Sequence, residues 1–341
     1  MRIAFYGYHT YPFNPEDVYG KGVGGSELSL IYLARALSRR GNQVAVYVNA
    51  TKILTYDGVY FAGINQFYPD EYWDVVVAFR GPLPPKANCR AFVHWSIDPH
   101  GPFIAEDLHR LDGIVSISPY QAGTIQGVPR EKIRVIRLFI DPEEYRDELS
   151  KDPYKLIYCS HPGRGLSHLI EIFKLVKQQV PQVKLVITFD ETLWGLGSIK
   201  VLFEPLIQGI PDIHYLGKLD RASLIREQKT STLHLHPCDR DFEMFCIAAL
   251  ECQAAGTPTI STDQGALATT VADDESGVLI RSTPHNDPDF YGKFGGAIIY
   301  LLRHRDKLNS LKEKARHRAL TQFDVNVVAQ EWEEYLASLL H

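Results

Sequence analysis

Short runs of β-branched and aromatic residues alternate with stretches of helical periodicity along nearly the whole chain. Ile3–Tyr6 reads as a strand. A glycine-rich loop then leads into a helix from about Glu27 to Arg40, where Leu28, Ile31, Leu33, Ala34 and Leu37 keep helical spacing between Ser26 as N-cap and Gly41 as stop. Val44–Val48, Val75–Phe79, Ala91–Val93, Ile114–Ile117 and Ile133–Ile136 follow as buried strands. Apolar strands joined by helices predict a parallel sheet covered on both faces, hence one Rossmann-like domain over residues 1–140. Between 141 and 154 the pattern lapses into charges and two prolines, which predicts a linker. Alternation restarts with Leu156–Cys159, a helix near Leu166–Gln179, Leu185–Phe189, Ile213–Leu216, Leu233–His236 and Pro258–Ser261, a second doubly wound domain over 155–320. The region from about 287 is helical and ends, over 321–341, in an amphipathic segment carrying Trp332, Tyr335 and Leu339. The expected fold class is therefore α/β, two Rossmann-like doubly wound domains facing across a cleft, with ligands at the carboxyl ends of the strands.

Composition narrows the function. A hydrophobic fraction of 45% and 23% charged residues over 341 positions suit a globular protein of about two domains. A net charge of −5 gives no electrostatic footprint for nucleic acid. No apolar run approaches the length of a membrane span, and the amino terminus lacks the pattern of a signal peptide. Five cysteines without a Cys-x-x-Cys pair fit a reduced, cytoplasmic chain.

Four constellations carry candidate chemistry. The first is His236-Pro-Cys-Asp-Arg-Asp-Phe-Glu-Met-Phe-Cys-Ile-Ala-Ala-Leu-Glu-Cys-Gln-Ala-Ala-Gly-Thr-Pro, in which a helix is expected to start near Phe245. Glu243 then lies at its beginning and Glu251 two turns on, within about 80° around the axis. A carboxylate beside free backbone N–H groups suits a site for hydroxyls and phosphates; spacing alone favours a helix cap and a solvated Glu. The second is Tyr158-Cys-Ser-His-Pro-Gly-Arg-Gly, which sets Arg164 at a helix entrance, where a guanidinium offsets the charge of a diphosphate. The third is the glycine loop Val18-Tyr-Gly-Lys-Gly-Val-Gly-Gly-Ser-Glu, and the fourth is Phe92-Val-His-Trp-Ser-Ile-Asp-Pro-His-Gly at a strand end. His234, His236 and Cys238 alternate along one strand like metal ligands but lack a fourth partner, so they read as packing groups and no metal is expected. Asp239-Arg-Asp241 has the spelling of a metal-holding Asp-x-Asp motif and reads as loop polarity.

The first constellation resembles the Glu-x7-Glu motif of retaining nucleotide-sugar glycosyltransferases of the GT-B fold, in particular glycosyltransferase family 4. Tyr215-Leu-Gly-Lys-Leu, Ala254-Ala-Gly-Thr-Pro-Thr-Ile-Ser-Thr and Gly277-Val-Leu-Ile resemble companion segments of that family, in the same order. The resemblance implies a metal-independent, retaining transfer of a sugar from a nucleotide diphosphate sugar to an acceptor sugar, lipid-linked sugar or small molecule, without a cofactor. It implies that Glu243 faces the transferring sugar, Glu251 binds the ribose hydroxyls, and the Met244 and Phe245 N–H groups meet sugar or phosphate oxygens. It also implies that Arg164 neutralises the diphosphate, with Lys218 or His161 as a second cation. Gly24 and Gly25 correspond to a family loop beside the donor phosphate. His94 corresponds to a histidine that touches the donor sugar, with His100 behind it and Asp98 as an acceptor contact. Relatives send the C-terminal helix, here 321–341, back to the first domain. The competing expectations are a sugar-nucleotide epimerase of the same architecture and a degenerate sugar-nucleotide-binding module.

Overall fold

The computed structural model describes all residues except 9, 99–106, 241 and 242, and the chain divides into two units, Met1–Phe139 with Phe323–His341, and Ile140–Gln322. His100 and Asp241 therefore lie outside the described residues.

The first unit is built on an eight-stranded sheet of order β3-β4-β2-β1-β5-β6-β7-β8. Its strands are β1 (Arg2–Tyr6), β2 (Gln43–Val48), β3 (Leu54–Tyr56), β4 (Val59–Gly63), β5 (Tyr72–Phe79), β6 (Asn88–Ser96), β7 (Gly113–Ser116) and β8 (Ile133–Val135). Pairing is parallel except for β3 on β4. That edge hairpin escapes the strand pattern because β3 is short and half exposed. Its signal is Asp57-Gly58, both at positive φ (47° and 81°), the conformation a two-residue hairpin turn requires.

The helix after β1 runs over Gly25–Arg39, two residues earlier than the pattern predicts. Gly24 caps it, its carbonyl accepting from Leu28 N at 2.9 Å, so Ser26 lies inside the helix. The final helix, Val325–Ser338, buries Trp332 against Trp95 with ring centroids 5.0 Å apart. Glu333 on that helix takes Arg40 Nε at 2.8 Å and Asn42 Nδ2 at 2.7 Å. At Gly113 a Cβ would fall 1.8 Å from the Tyr335 hydroxyl, so a side chain there would have to push the tip of the Tyr335 ring aside.

The second unit has a six-stranded, fully parallel sheet of order β11-β10-β9-β12-β13-β14. Its strands are β9 (Lys155–Tyr158), β10 (Lys184–Thr188), β11 (Ile213–Gly217), β12 (Leu233–His236), β13 (Thr259–Thr262) and β14 (Gly277–Ile280). The helix Leu166–Gln179 buries Leu169, Ile170, Ile172, Phe173 and Val176 against the sheet and the helix Phe290–Arg303. The charged stretch read as a linker is instead packed into this unit. Asp141 caps the turn Pro142–Tyr145, and Tyr145 is fully buried. Lys151 Nζ donates to the carbonyls of Lys229, Ser231 and Ala255 and to Thr257 Oγ1, at 2.7–3.0 Å. Charges that look solvated in sequence are partnered here, which is why polarity misleads. Among the described residues no helix is long and apolar enough to cross a membrane.

Candidate functional site

In each sheet the strand order reverses once, between β1 and β5 in the first and between β9 and β12 in the second. Crevices outside the carboxyl ends of strands at such reversals are where doubly wound sheets bind ligands. In the second unit the loop after β9 carries Arg164 and the loop after β12 carries Glu243, and they meet. Arg164 Nη1 donates to both Glu243 oxygens at 2.8 Å. Glu243 is 1% exposed, whereas the Arg164 side chain is 34% exposed. His236 Nε2 lies 3.1 Å from Glu243 Oε2, and its ring stacks on Tyr158. Burial pushes the Glu243 carboxyl up, but Arg164 and then His236 outweigh it and hold the pKa below its ordinary value. Burial lowers the pKa of His236.

This geometry depends on Gly165. Its φ is +94°, and a Cβ there would stand 2.0 Å from the Pro237 carbonyl oxygen. Glycine alone lets the Arg164 loop close onto the end of β12.

Both oxygens of Glu251, the residue that the resemblance assigns to the ribose, have protein donors here. It is 5% exposed, on the helix Ile247–Ala254, with Arg221 Nη1 donating to Oε1 at 2.6 Å and Gln228 Nε2 to Oε2 at 3.0 Å. Arg221 also donates to Glu144 from Nε and Nη2, and to the Tyr145 hydroxyl at 3.2 Å. The Tyr145 hydroxyl in turn donates to Gln228 Oε1 at 3.2 Å, which closes a ring. Burial raises the Glu251 pKa, and Arg221 opposes this only in part. The sequence gives no hint of Arg221, because its carboxylate partner Glu144 lies 77 positions away.

Other expected groups are dispersed. The helix starts at Ile247 with Cys246 as N-cap, so Met244 and Phe245 precede it, each 5% exposed. Lys218 is exposed on the turn after β11. His161 Nε2 faces Glu191 Oε1 at 3.3 Å. Asp239 Oδ2 sits between His168 Nε2 at 3.2 Å and His285 Nε2 at 2.8 Å, and its pKa is lowered.

Gly24, Gly25 and His94 belong to the first unit. His94 on β6 is 2% exposed, and neither ring nitrogen has a hydrogen-bond partner among the described residues. Burial pushes its pKa down to about 4, so it is neutral near pH 7. At the β1/β5 reversal lies a network that sequence reasoning missed. Arg80 Nη1 donates to the buried Glu27 at 3.0 Å, and Nε and Nη2 grip Asp98 at 2.8 and 3.1 Å. Arg80 has a φ of +64°, a strained backbone that the paired guanidinium accompanies.

The glycosyl transferases group 1 family model matches residues 141–318. A trehalose synthase from Pyrococcus horikoshii is 23% identical over 254 residues, covering 69% of this chain and 54% of the relative. The chain spans about half the length of the curated relatives it matches. Among solved structures, sucrose-phosphate synthase from Thermosynechococcus elongatus superposes with a TM-score of 0.71 at 14% identity, over 99% of both chains. Anabaena HepE in complex with UDP and glucose superposes with a TM-score of 0.70 at 17% identity, over 99% of this chain and 100% of its own. At that identity the likeness establishes the fold, two parallel-sheet α/β domains of GT-B type.

Proposed function

The chain belongs to the glycosyl transferases group 1 family, and from that premise we propose that it moves a sugar from a nucleotide diphosphate sugar to an acceptor, with retention of anomeric configuration and without a metal at the diphosphate. The observation that carries this reading is the position of Arg164 at the β9/β12 reversal, partly exposed and gripped by a buried carboxylate. A guanidinium held in place before the donor arrives loses little freedom on meeting a diphosphate, and its charge counts most as the leaving group departs. HepE, of the same fold, is described with UDP and glucose, which supports a nucleotide-sugar donor here.

In the proposed step the acceptor oxygen bonds to the anomeric carbon on the face from which the diphosphate leaves. The carbon–oxygen bond to phosphate breaks, and the acceptor proton passes to the departing phosphate oxygen. Glu243, occupied by Arg164 and His236, orients the guanidinium from beneath the sugar's place. Glu251 fixes the helix behind the site, and reaches a ribose only if Gln228 or Arg221 releases an oxygen. Lys218 and the backbone of Met244 and Phe245 complete the donor side. Gly24, Gly25 and His94 stand on the first unit, where the neutral His94 is a hydrogen-bonding group and not a base. The five free cysteines support a reducing, cytoplasmic setting.

The occupancy of both glutamates favours one second reading, a binding module that has lost turnover. A panel of nucleotide sugars read by thermal shift, then by release of nucleoside diphosphate, separates the two. Transfer predicts a stabilising donor and slow hydrolysis that Arg164→Ala abolishes. Stabilisation without hydrolysis would establish the module, and no shift with any nucleotide sugar would end both readings.

A further inference from the structure

The histidines of β12 do not act as one set. His236 faces Glu243 and Cys246, Cys238 Sγ donates to the Arg240 carbonyl, and His234 turns to two cysteines from other elements. Cys159 comes from the end of β9 and Cys252 from the helix Ile247–Ala254. Their sulfurs lie 3.6 Å apart, and a ring nitrogen of His234 lies within 4.8 Å of both. His234 is fully buried. Its Nδ1 meets Thr259 Oγ1 at 3.1 Å, while Nε2 has no hydrogen-bond partner among the described residues. A buried imidazole nitrogen left without a partner is costly unless something occupies it.

We propose that Cys159, His234 and Cys252 bind a thiophilic divalent metal ion of the zinc class, at a site separate from the diphosphate. The donor set is the one such ions select, two thiolates and an imidazole. Metal–sulfur bonds of about 2.3 Å and metal–nitrogen bonds of about 2.0 Å put tetrahedral edges near 3.8 Å between sulfurs and near 3.5 Å from sulfur to nitrogen. The sulfurs, 3.6 Å apart, already stand close to that spacing, and the His234 nitrogen, within 4.8 Å of both, has to close to about 3.5 Å to complete the set. The Thr259 hydroxyl supplies the outer hydrogen bond that leaves the opposite nitrogen for the metal. Charge also balances. The ion displaces two thiol protons to solvent, and its two charges cancel those of the two thiolates, so the buried site is neutral.

The neighbouring group His236, Glu243 and Cys246 is a weaker competitor. Arg164 covers both Glu243 oxygens, and a cation would have to expel that guanidinium. It serves as the internal control.

The test is cobalt(II) titration of the full chain, reduced and stripped with a chelator. One equivalent should bind with thiolate-to-cobalt charge transfer and tetrahedral visible bands, and zinc should bleach both. Cys159→Ser and Cys252→Ser should each remove about half the charge-transfer intensity and weaken binding roughly tenfold or more. His234→Gln should weaken binding while keeping the thiolate band, and Cys246→Ser should change neither. X-ray absorption of the metal-loaded parent, which needs no variant to fold, should find two sulfur ligands and at least one nitrogen. A shell of oxygen and nitrogen only, no thiolate band, a band lost in Cys246→Ser, or a Cys159–Cys252 disulfide formed in the presence of zinc would each overturn the proposal. None of these readouts depends on sugar transfer, so a protein that binds metal and transfers nothing would count against the proposed activity alone.

Discussion

Replacing Arg221 by methionine tests how the second unit is held together. Arg221 is 6% exposed and lies between two buried carboxylates, Glu144 and Glu251, with the Tyr145 hydroxyl alongside. Methionine fills most of the volume, so packing changes little while the positive charge disappears. Gln228 still serves Glu251, but two carboxyls are left near each other without their shared cation. Breaking a buried ion pair in this way costs about 3–5 kcal/mol. At about 2–4 °C per kcal/mol for a unit of this size, the melting temperature should fall by roughly 10 °C. Urea unfolding near neutral pH, followed by a signal of the second unit, measures the loss directly. The pH dependence identifies its cause. The Glu251 pKa already lies above its ordinary value of 4.5, and removing Arg221 raises it further. A carboxyl with a raised folded pKa contributes stability that is fully present below its unfolded pKa and is lost as pH rises through the folded value. The deficit of Arg221→Met should therefore be largest near neutrality and shrink as pH falls toward 4.5. Adding Glu251→Gln should recover part of it. A loss below about 1 kcal/mol, or one independent of pH and of Glu251→Gln, would refute the reasoning.

Glu243 should behave in the opposite sense. Its folded pKa lies below the ordinary 4.5, so its stabilisation is present above that value and lost as pH falls through the folded pKa. Acid unfolding of Glu243→Gln should be flatter than that of the parent below pH 4.5, and parallel curves would deny the pairing. Gly165→Ala places a methyl group 2.0 Å from the Pro237 oxygen at a φ of +94°, so about 1–3 kcal/mol of stability should be lost, together with donor-induced thermal stabilisation as Arg164 is displaced. Trp332→Ala, at a fully buried ring against Trp95, should cost the first unit about 3–5 kcal/mol in urea unfolding; a variant as stable as the parent would contradict the packing.

The sequence by itself determined the local elements. The helix Leu166–Gln179 and the strand Leu233–His236 stand where periodicity puts them, because each buries a face whose spacing is written in consecutive residues. It also marked the candidate site segments, since Gly-Arg-Gly after one strand and Glu-x7-Glu after another are local spellings. It missed the hairpin β3–β4, whose signal lay in the Asp57-Gly58 turn and not in its short strands. It also took 141–154 for a linker, because charge density cannot distinguish a solvated Glu144 or Lys151 from a partnered one.

Only the tertiary structure decided what the functional side chains face. Arg164 and Glu243 are 79 positions apart, Arg221 and Glu144 are 77, and Cys159 and Cys252 are 93. A parallel sheet joins such residues by bringing the carboxyl ends of β9 and β12 side by side, although three helices and two strands separate them along the chain. No periodicity encodes that adjacency. It follows from strand order, and strand order pairs the two glutamates of the motif with arginines from distant segments, Arg221 buried and Arg164 partly exposed.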